Sequence, residues 1–247
     1  DVSQVSIRSN NLGARDRTQF TAFVEQRFSF NKLDVTPGVA LNYFSDFDFH
    51  AFPGMDVGYA WNTKFKTYAN FGYTYRIPTY TDLYYADRTT LGNENLEPED
   101  AFSWELGFQY HSTQNQLSLA IFNRDTDNLI DYVKFDEGAL WEAQNFAALN
   151  TTGFEFQGSQ KLHLWGQPQK LQLAYTYIDD AIKEVQVPFS RYAINSLKHQ
   201  LSATAQLQLS KQWPASVNYR YLERTNGTNY RVFDASLRYV SSQITWS

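Results

Sequence analysis

Hydrophobic side chains recur at every second position along most of this chain, and this alternation restricts the fold more than any other feature. In the segment 65–76, Phe65 and Phe71 fall on one face, whereas Lys66 and Asn70 fall on the other. The same period recurs near residues 17–30, 102–111, 154–164, 171–177, 201–209, 215–221 and 233–239. Because successive side chains of a β-strand point to opposite faces, the pattern predicts an all-β protein. No stripe of helical period is long enough to predict a helix.

The connections between these segments alternate in length. Short connections are expected near residues 31–32, 61–64, 112–115, 166–169 and 210–214, and mostly longer ones near 9–16, 77–99, 133–138, 178–196 and 223–229. In an antiparallel sheet, successive connections lie at opposite ends. Short turns at one end and long loops at the other are typical of outer-membrane barrels. The sequence therefore predicts an antiparallel up-and-down transmembrane β-barrel.

Composition is consistent with strands that cross a membrane. Aromatic residues make up 17% of the 247 residues, yet the mean hydropathy is −0.51. No apolar run approaches the roughly 20 residues that a membrane-spanning helix needs. A transmembrane strand needs only about 10 residues, every second one of which faces lipid. Dispersed apolar residues are therefore expected.

Several classes of function find no support. The net charge of −5 includes no basic stripe that could follow a nucleic acid backbone. The chain has no cysteine, and its four histidines are scattered without metal-ligand spacing. No phosphate loop, nucleophile elbow or zinc motif occurs. The sequence predicts no enzyme, no catalytic residue, no cofactor, no metal site and no nucleic acid partner.

The count of segments predicts about twelve strands, with the pattern starting inside one strand and stopping inside another. Open edges in lipid would leave backbone groups unpaired, so we expect more strands in the native barrel. Pro37-Gly38 and Pro53-Gly54 interrupt two neighbouring strand patterns. Because proline cannot donate to a ladder, we expect paired bulges or kinks there, with loops as the alternative.

Two adjacent segments carry a resemblance to a known family. They are Tyr75-Arg-Ile-Pro-Thr-Tyr-Thr-Asp-Leu-Tyr-Tyr85 and Gly92-Asn-Glu-Asn-Leu-Glu-Pro-Glu99. In this order and spacing they resemble the C-terminal part of the barrel of TonB-dependent outer-membrane transporters. Asn123-Arg-Asp-Thr-Asp-Asn-Leu-Ile-Asp-Tyr132 and Asn150-Thr-Thr-Gly-Phe-Glu-Phe156 are similar to the next hairpin of that family. Three shorter stretches look most like its cobalamin-carrying branch.

The resemblance implies a fold and a function. Residues 1–247 would form one partial transmembrane domain of a barrel of about 22 strands, with the plug domain and the closing strands outside this chain. The implied activity is active uptake of a large, scarce nutrient, preferably vitamin B12, across the outer membrane. Implied partners are the TonB complex through the plug, outer-membrane lipid, a cobalamin or metal-chelate ligand, and a surface lipoprotein.

Candidate ligand contacts lie in the long loops. Tyrosines on such a loop could close over a large planar ligand at a low cost in side-chain entropy. The candidate substrate-binding residues are Tyr80, Tyr84, Tyr85, Asp87, Arg88, Trp141, Arg191 and Tyr192. For Tyr84 and Tyr85, the membrane-interface aromatic belt is an equal alternative. A mixed polar wall is expected to line the barrel lumen and consists of Lys66, Arg76, Glu105, Glu155, Gln157 and Lys161.

Other functions share part of this pattern. A ferric siderophore or haem receptor of the same family would have the same strands and loops. A passive outer-membrane porin would also have them, without a plug. A soluble all-β binding domain is the remaining alternative, although no blade repeat of a propeller is present.

Overall fold

The computed structural model describes residues 1–146, 148–183, 187–191, 196–241 and 245–246. In chain order the elements are β1 (Val2–Ser9), β2 (Gly13–Glu25), β3 (Phe28–Phe30), β4 (Leu33–Phe44), β5 (Asp48–Ala60), β6 (Phe65–Arg76), α1 (Tyr80–Tyr84), β7 (Thr90–Leu91), β8 (Glu99–His111), β9 (Asn115–Asp127), β10 (Ile130–Lys134), β11 (Trp141–Asn145), β12 (Leu149–Leu164), β13 (Gln167–Ile182), β14 (Phe189–Ser190), β15 (Leu197–Ser210), β16 (Trp213–Arg224), β17 (Asn229–Leu237), β18 (Tyr239–Val240) and β19 (Thr245–Trp246).

Thirteen of these strands form one antiparallel sheet in the order β1-β2-β4-β5-β6-β8-β9-β12-β13-β15-β16-β17, with β3 paired to β4. Every neighbour on this path follows its partner along the chain without a crossover, as in an up-and-down barrel. The all-β prediction of about twelve strands is confirmed. Among the described residues, no helix is long and apolar enough to cross a membrane.

The register separates an apolar face from a polar one. Phe71 lies beside Trp104, and Leu106 lies beside Ile121. Phe71, Leu106 and Ile121 are 40%, 51% and 49% exposed, so this outer face has no protein layer over it. The opposite face, here called the inner face, carries all six residues of the predicted polar wall.

The two ends of the sheet differ. Tight turns at residues 31–32, 61–64, 112–114, 165–166 and 211–212 form one end, here called the short-turn end. The other end, called the long-connection end, contains the described residues of the segments 77–98, 128–148 and 183–196, together with shorter links. The predicted asymmetry of the connections is therefore present.

Parts of the long connections fold into a small unit of their own. Strands β14, β10, β11 and β7 form a second sheet, in that order. Helix α1 packs on it through Leu83 and Tyr84. We call α1, β7, β10, β11 and β14, with the described residues that join them, the cap. A helix was not expected from the sequence, because α1 is a single turn and too short to show a helical period.

The two proline-glycine pairs lie inside strands, so the loop alternative is wrong. Gly38 pairs with Gly54, and the register of β4 with β5 runs through this point without a shift. A bulge between these two strands is therefore also wrong. The hydrogen-bonded pairing is interrupted on the other side of β5, where its pairing with β6 ends at Gly54 and Gly72.

Candidate functional site

Arg17 on the inner face of β2 helps to hold the cap in place. Its Nε donates to both carboxylate oxygens of Asp46 at 2.8 and 2.9 Å, and its Nη2 donates to the Pro78 carbonyl at 3.1 Å. The guanidinium also lies 5.0 Å from the centre of the Tyr80 ring. Arg17 is only 8% exposed. It therefore links the sheet to the start of α1.

A second link joins Arg76 and Glu99, the inner-face residues at the ends of β6 and β8. Glu99 Oε1 accepts from Arg76 Nη2 at 2.6 Å and from the Ile130 amide at 2.7 Å. Arg76 also donates to Asp82 at 3.3 Å. Since Glu99 is 7% exposed, removing its carboxylate would leave the buried Ile130 amide without its acceptor and would take the shortest hydrogen bond from Arg76. Because both links start on the inner face, the cap extends over the lumen side of the sheet.

Helix α1 begins with a capping box. The Asp82 amide donates to Thr79 Oγ1 at 3.1 Å, and the Thr79 amide donates to Asp82 Oδ2 at 2.9 Å. Such reciprocal bonds satisfy two amides that a helix start leaves unpaired. The spacing of threonine and aspartate is visible in the sequence and was missed as a helix signal.

The cap has its own apolar core. It consists of Leu83, Leu96, Ile130, Tyr132 and Ala143, with Phe47, Tyr84 and Trp141 packed against it. A second small cluster contains Val133, Phe146 and Val187. Elsewhere the described residues of the large sheet have almost no fully buried apolar side chains, as expected for one open layer. The cap is thus a packed unit rather than a set of separate loops.

Two of the predicted tyrosines support the cap itself. The Arg15 guanidinium lies 3.7 Å from the centre of the Tyr84 ring, a geometry that favours cation–π attraction. The Tyr80 hydroxyl donates to the Val5 carbonyl at 3.4 Å. Burial raises the pKa of Tyr80 above its ordinary value. Both rings lie in the cap, and Tyr84 packs on its core.

Tyr85 and Asp87 organise the next turn. Asp87 Oδ1 accepts from the amides of Thr89 and Thr90 at 2.7 Å each, and Oδ2 accepts from the Tyr85 hydroxyl at 2.9 Å. The Thr89 amide and hydroxyl contribute most to lowering the pKa of Asp87, to about 2. The same carboxylate raises the pKa of Tyr85. Arg88 lies exposed at the tip of this turn.

Trp141 and Arg191 come together although fifty positions separate them. The Arg191 guanidinium lies 5.0 Å from the Trp141 ring and 5.1 Å from the Tyr132 ring. Its Nη2 donates to Thr90 Oγ1 at 3.0 Å. The structure thus brings two candidates from two connections, Trp141 and Arg191, together in one aromatic and cationic surface. Tyr192, the remaining candidate, lies outside the described residues.

Two asparagines, which the sequence analysis did not single out, bind loop backbones. Asn11 donates to the Ala86 carbonyl at 2.6 Å and accepts from the Ala86 amide at 2.9 Å. Asn145 makes the same pair of bonds with Glu97, both at 2.8 Å. Each side chain reproduces the pairing of a neighbouring strand. Their partners are distant in sequence, so no local signal identifies them.

A recess beside the cap is a second candidate for ligand contact. It lies where β5 and β6 part and has a volume of about 420 Å³. His50, Phe52 and Tyr75 form its aromatic walls, and Glu97 and Asp100 contribute carboxylates. The Tyr75 hydroxyl and His50 Nε2 lie 2.6 Å apart. Such walls suit a flat, largely apolar group that carries hydrogen-bond donors.

Comparison with known proteins gives consistent results. The family model described as "TonB dependent receptor-like, beta-barrel" matches residues 2–247. The chain is 23% identical over 157 residues to the vitamin B12 transporter BtuB of Vibrio vulnificus (strain YJ016), covering 64% of this chain and 25% of that protein. It is 25% identical over 177 residues to the BtuB of Photobacterium profundum, covering 71% and 27%.

Solved structures show the same fold. The siderophore receptor PirA from Pseudomonas aeruginosa superposes with a TM-score of 0.78 at 18% identity, over 98% of this chain and 44% of that one. The copper transporter OprC superposes with a TM-score of 0.70 at 15% identity, over 92% and 40%. The chain therefore spans about a quarter of these curated relatives and less than half of these solved structures.

Proposed function

The chain belongs to the TonB dependent receptor-like β-barrel family, a family of outer-membrane receptors, and we propose that it forms part of an active uptake receptor for vitamin B12. Residues 1–247 contribute part of the barrel wall and the cap over its mouth. The proposed energy source is the TonB complex, which acts through a plug domain. The cap carries the proposal, because it brings the predicted contact residues Trp141 and Arg191 together on the lumen side of the sheet.

The rigidity of the cap supports a binding role. Partly buried ion pairs, a capped helix and two asparagine side chains bonded to loop backbone hold it in one arrangement. A surface that is ordered before the ligand arrives loses less conformational entropy on binding. The aromatic and cationic surface formed by Trp141, Tyr132 and Arg191 offers ring faces and donors together. Such a surface fits a large, flat ligand with polar edges, as a corrinoid is.

The charge of the long-connection end supports this cargo. Its described connections carry the acidic residues Asp46, Asp82, Asp87, Glu94, Glu97, Asp131, Asp136, Glu137 and Glu142, against the basic residues Arg88, Lys134, Lys183 and Arg191. A negative mouth repels anions and slows their association. Ferric complexes of catecholates are anions, whereas cyanocobalamin is neutral. The charge therefore favours cobalamin over an anionic ferric chelate.

Binding measurements on the full-length natural protein test this proposal. Purified protein in detergent should bind cyanocobalamin below micromolar concentration in titration calorimetry, and it should not bind ferric enterobactin. Replacing Arg191 by Ala should weaken cobalamin binding about tenfold, since the two cation–π contacts and the hydrogen bond that order this surface are lost together with its cation. Lys183→Ala, an exposed cation at the same end that is not among the predicted contact residues, serves as the control for charge. If the protein bound the ferric chelate tightly and did not bind cobalamin, the assignment of cobalamin as the cargo would be refuted.

A further inference from the structure

The turns at the short-turn end carry positive charge only. Its turns contain Lys32, Lys64 and Lys211, and none of the five turns, all of which lie in the described part of the chain, contains an aspartate or a glutamate. All three lysines are exposed. Within the described residues, no carboxylate lies at ion-pairing distance from their ammonium groups. This end therefore presents three cations that the protein itself does not neutralise.

Three tryptophans lie in or directly beside these turns. Trp61, Trp165 and Trp213 are 54%, 75% and 42% exposed. Trp61 continues the outer face of β5, and Trp213 begins the outer face of β16. An indole ring with an apolar body and one N–H donor is stable at the boundary between hydrocarbon and headgroups. These rings therefore mark the depth at which the short-turn end meets a bilayer surface.

Local hydrogen bonds hold two of the lysines, Lys32 and Lys64, in their turns. Lys32 Nζ donates to the Trp61 carbonyl at 3.1 Å, which joins two neighbouring turns. Asn62 Oδ1 accepts from the Lys64 amide at 2.8 Å. The tight turns leave little freedom for these residues to move away from the rim. The cations and the indoles thus form one band, here called the lysine-tryptophan rim.

We propose that the lysine-tryptophan rim binds phosphatidylglycerol headgroups in the leaflet at the short-turn end. The lipid phosphates neutralise the ammonium groups while the indoles lie among the glycerol and upper acyl carbons. Charge complementarity selects this occupant, since zwitterionic phosphatidylethanolamine offers the rim no net charge. The proposal rests on the membrane placement proposed above, and it adds a lipid class and the residues that select it.

Native mass spectrometry of the full-length natural protein tests the rim. Protein released from micelles that contain equal amounts of phosphatidylglycerol and phosphatidylethanolamine should retain the anionic lipid preferentially. The variant Lys32→Gln, Lys64→Gln, Lys211→Gln should bind phosphatidylglycerol roughly fivefold more weakly for each lysine removed. High salt should reduce the preference in the natural protein and have little effect in the variant.

A matched variant tests whether lipid preference depends on where the lysines lie or only on the net charge of the protein. Lys66→Gln, Lys161→Gln, Lys170→Gln removes the same charge from the inner face of the sheet. It should keep the lipid preference. An equal loss in both variants, or retention of both lipids in equal amounts, would overturn the rim proposal while leaving the receptor proposal intact. Failure of the natural protein to insert into vesicles of either lipid would overturn both.

Discussion

Replacing Gly92 by Ala should loosen the cap without altering the barrel strands. Gly92 lies against the C-terminal end of α1, and an added Cβ would stand 2.8 Å from the Leu83 carbonyl carbon and 2.9 Å from the Asp82 oxygen. These are backbone atoms, so rotation of a side chain cannot relieve the contact. To reach an ordinary separation, α1 and the Gly92 segment must move apart by several tenths of an ångström.

The expected magnitude follows from the bonds at this contact. The Gly92 amide donates to the Tyr85 carbonyl at 2.6 Å, and the Asn93 amide donates to the Asp82 carbonyl at 2.9 Å. Separation weakens both bonds, and overpacking of this kind costs about 1–3 kcal/mol. With a loss of about 2 kcal/mol, the open form of the cap becomes about 30 times more populated.

Hydrogen exchange measures this population directly. Amides at Leu83 and Asn93 should exchange about 30-fold faster in Gly92→Ala than in the natural protein, under conditions in which the cap closes fast compared with chemical exchange. Gly138→Ala is the control, because it lies in the same cap and its added Cβ would meet only Asp136 Oδ1 at an ordinary 3.6 Å. Exchange within twofold of the natural protein, or an equal effect of the control, would refute the reasoning.

Three further changes test other contacts. Glu99→Gln should speed exchange of the Ile130 amide about tenfold, because a charged acceptor is replaced by a weaker one; an unchanged rate would contradict this role. The pKa of Asp87 is about 2 in the folded protein, below its ordinary value. Its contribution to the cap should therefore be complete above pH 5 and disappear as the pH falls through 2, which carboxyl NMR can follow; an ordinary pKa would contradict it. Gly153→Ala should lower the stability of the sheet by about 2 kcal/mol in urea, because its Cβ would stand 2.6 Å from the Tyr177 carbonyl oxygen; a neutral effect would show that the backbone can move.

The strands could be predicted because their signal is local. Apolar and polar side chains alternate along each strand. The faces of Phe71 and Asn70 can therefore be assigned without knowing which strand pairs with theirs. Turn length depends equally on local residues. The fold class, the number of strands and the two unlike ends of the sheet therefore followed from reading the chain.

The candidate site was predictable only in part. Asp87 and the neighbouring tyrosines attract attention as an aromatic and acidic loop, but their roles depend on distant partners. The Arg15 guanidinium lies over the Tyr84 ring, and the Asn11 side chain binds the backbone of Ala86, seventy-five positions away in sequence. One sequence contains no periodic signal for such contacts. The capping box at Thr79 was the exception, since its spacing could be read and was overlooked.

By itself, the sequence determined the alternation of faces, the order of strands and the charges at the two ends, because each depends on neighbouring residues. Only the tertiary structure decided that parts of the long connections fold together into one cap, that Arg191 meets Trp141, and that pairing of β5 with β6 stops at Gly54. These depend on which segments meet in space. Burial of the Glu99 carboxylate, which joins Arg76 at the end of β6 to the Ile130 amide of β10, exists only once the chain has folded.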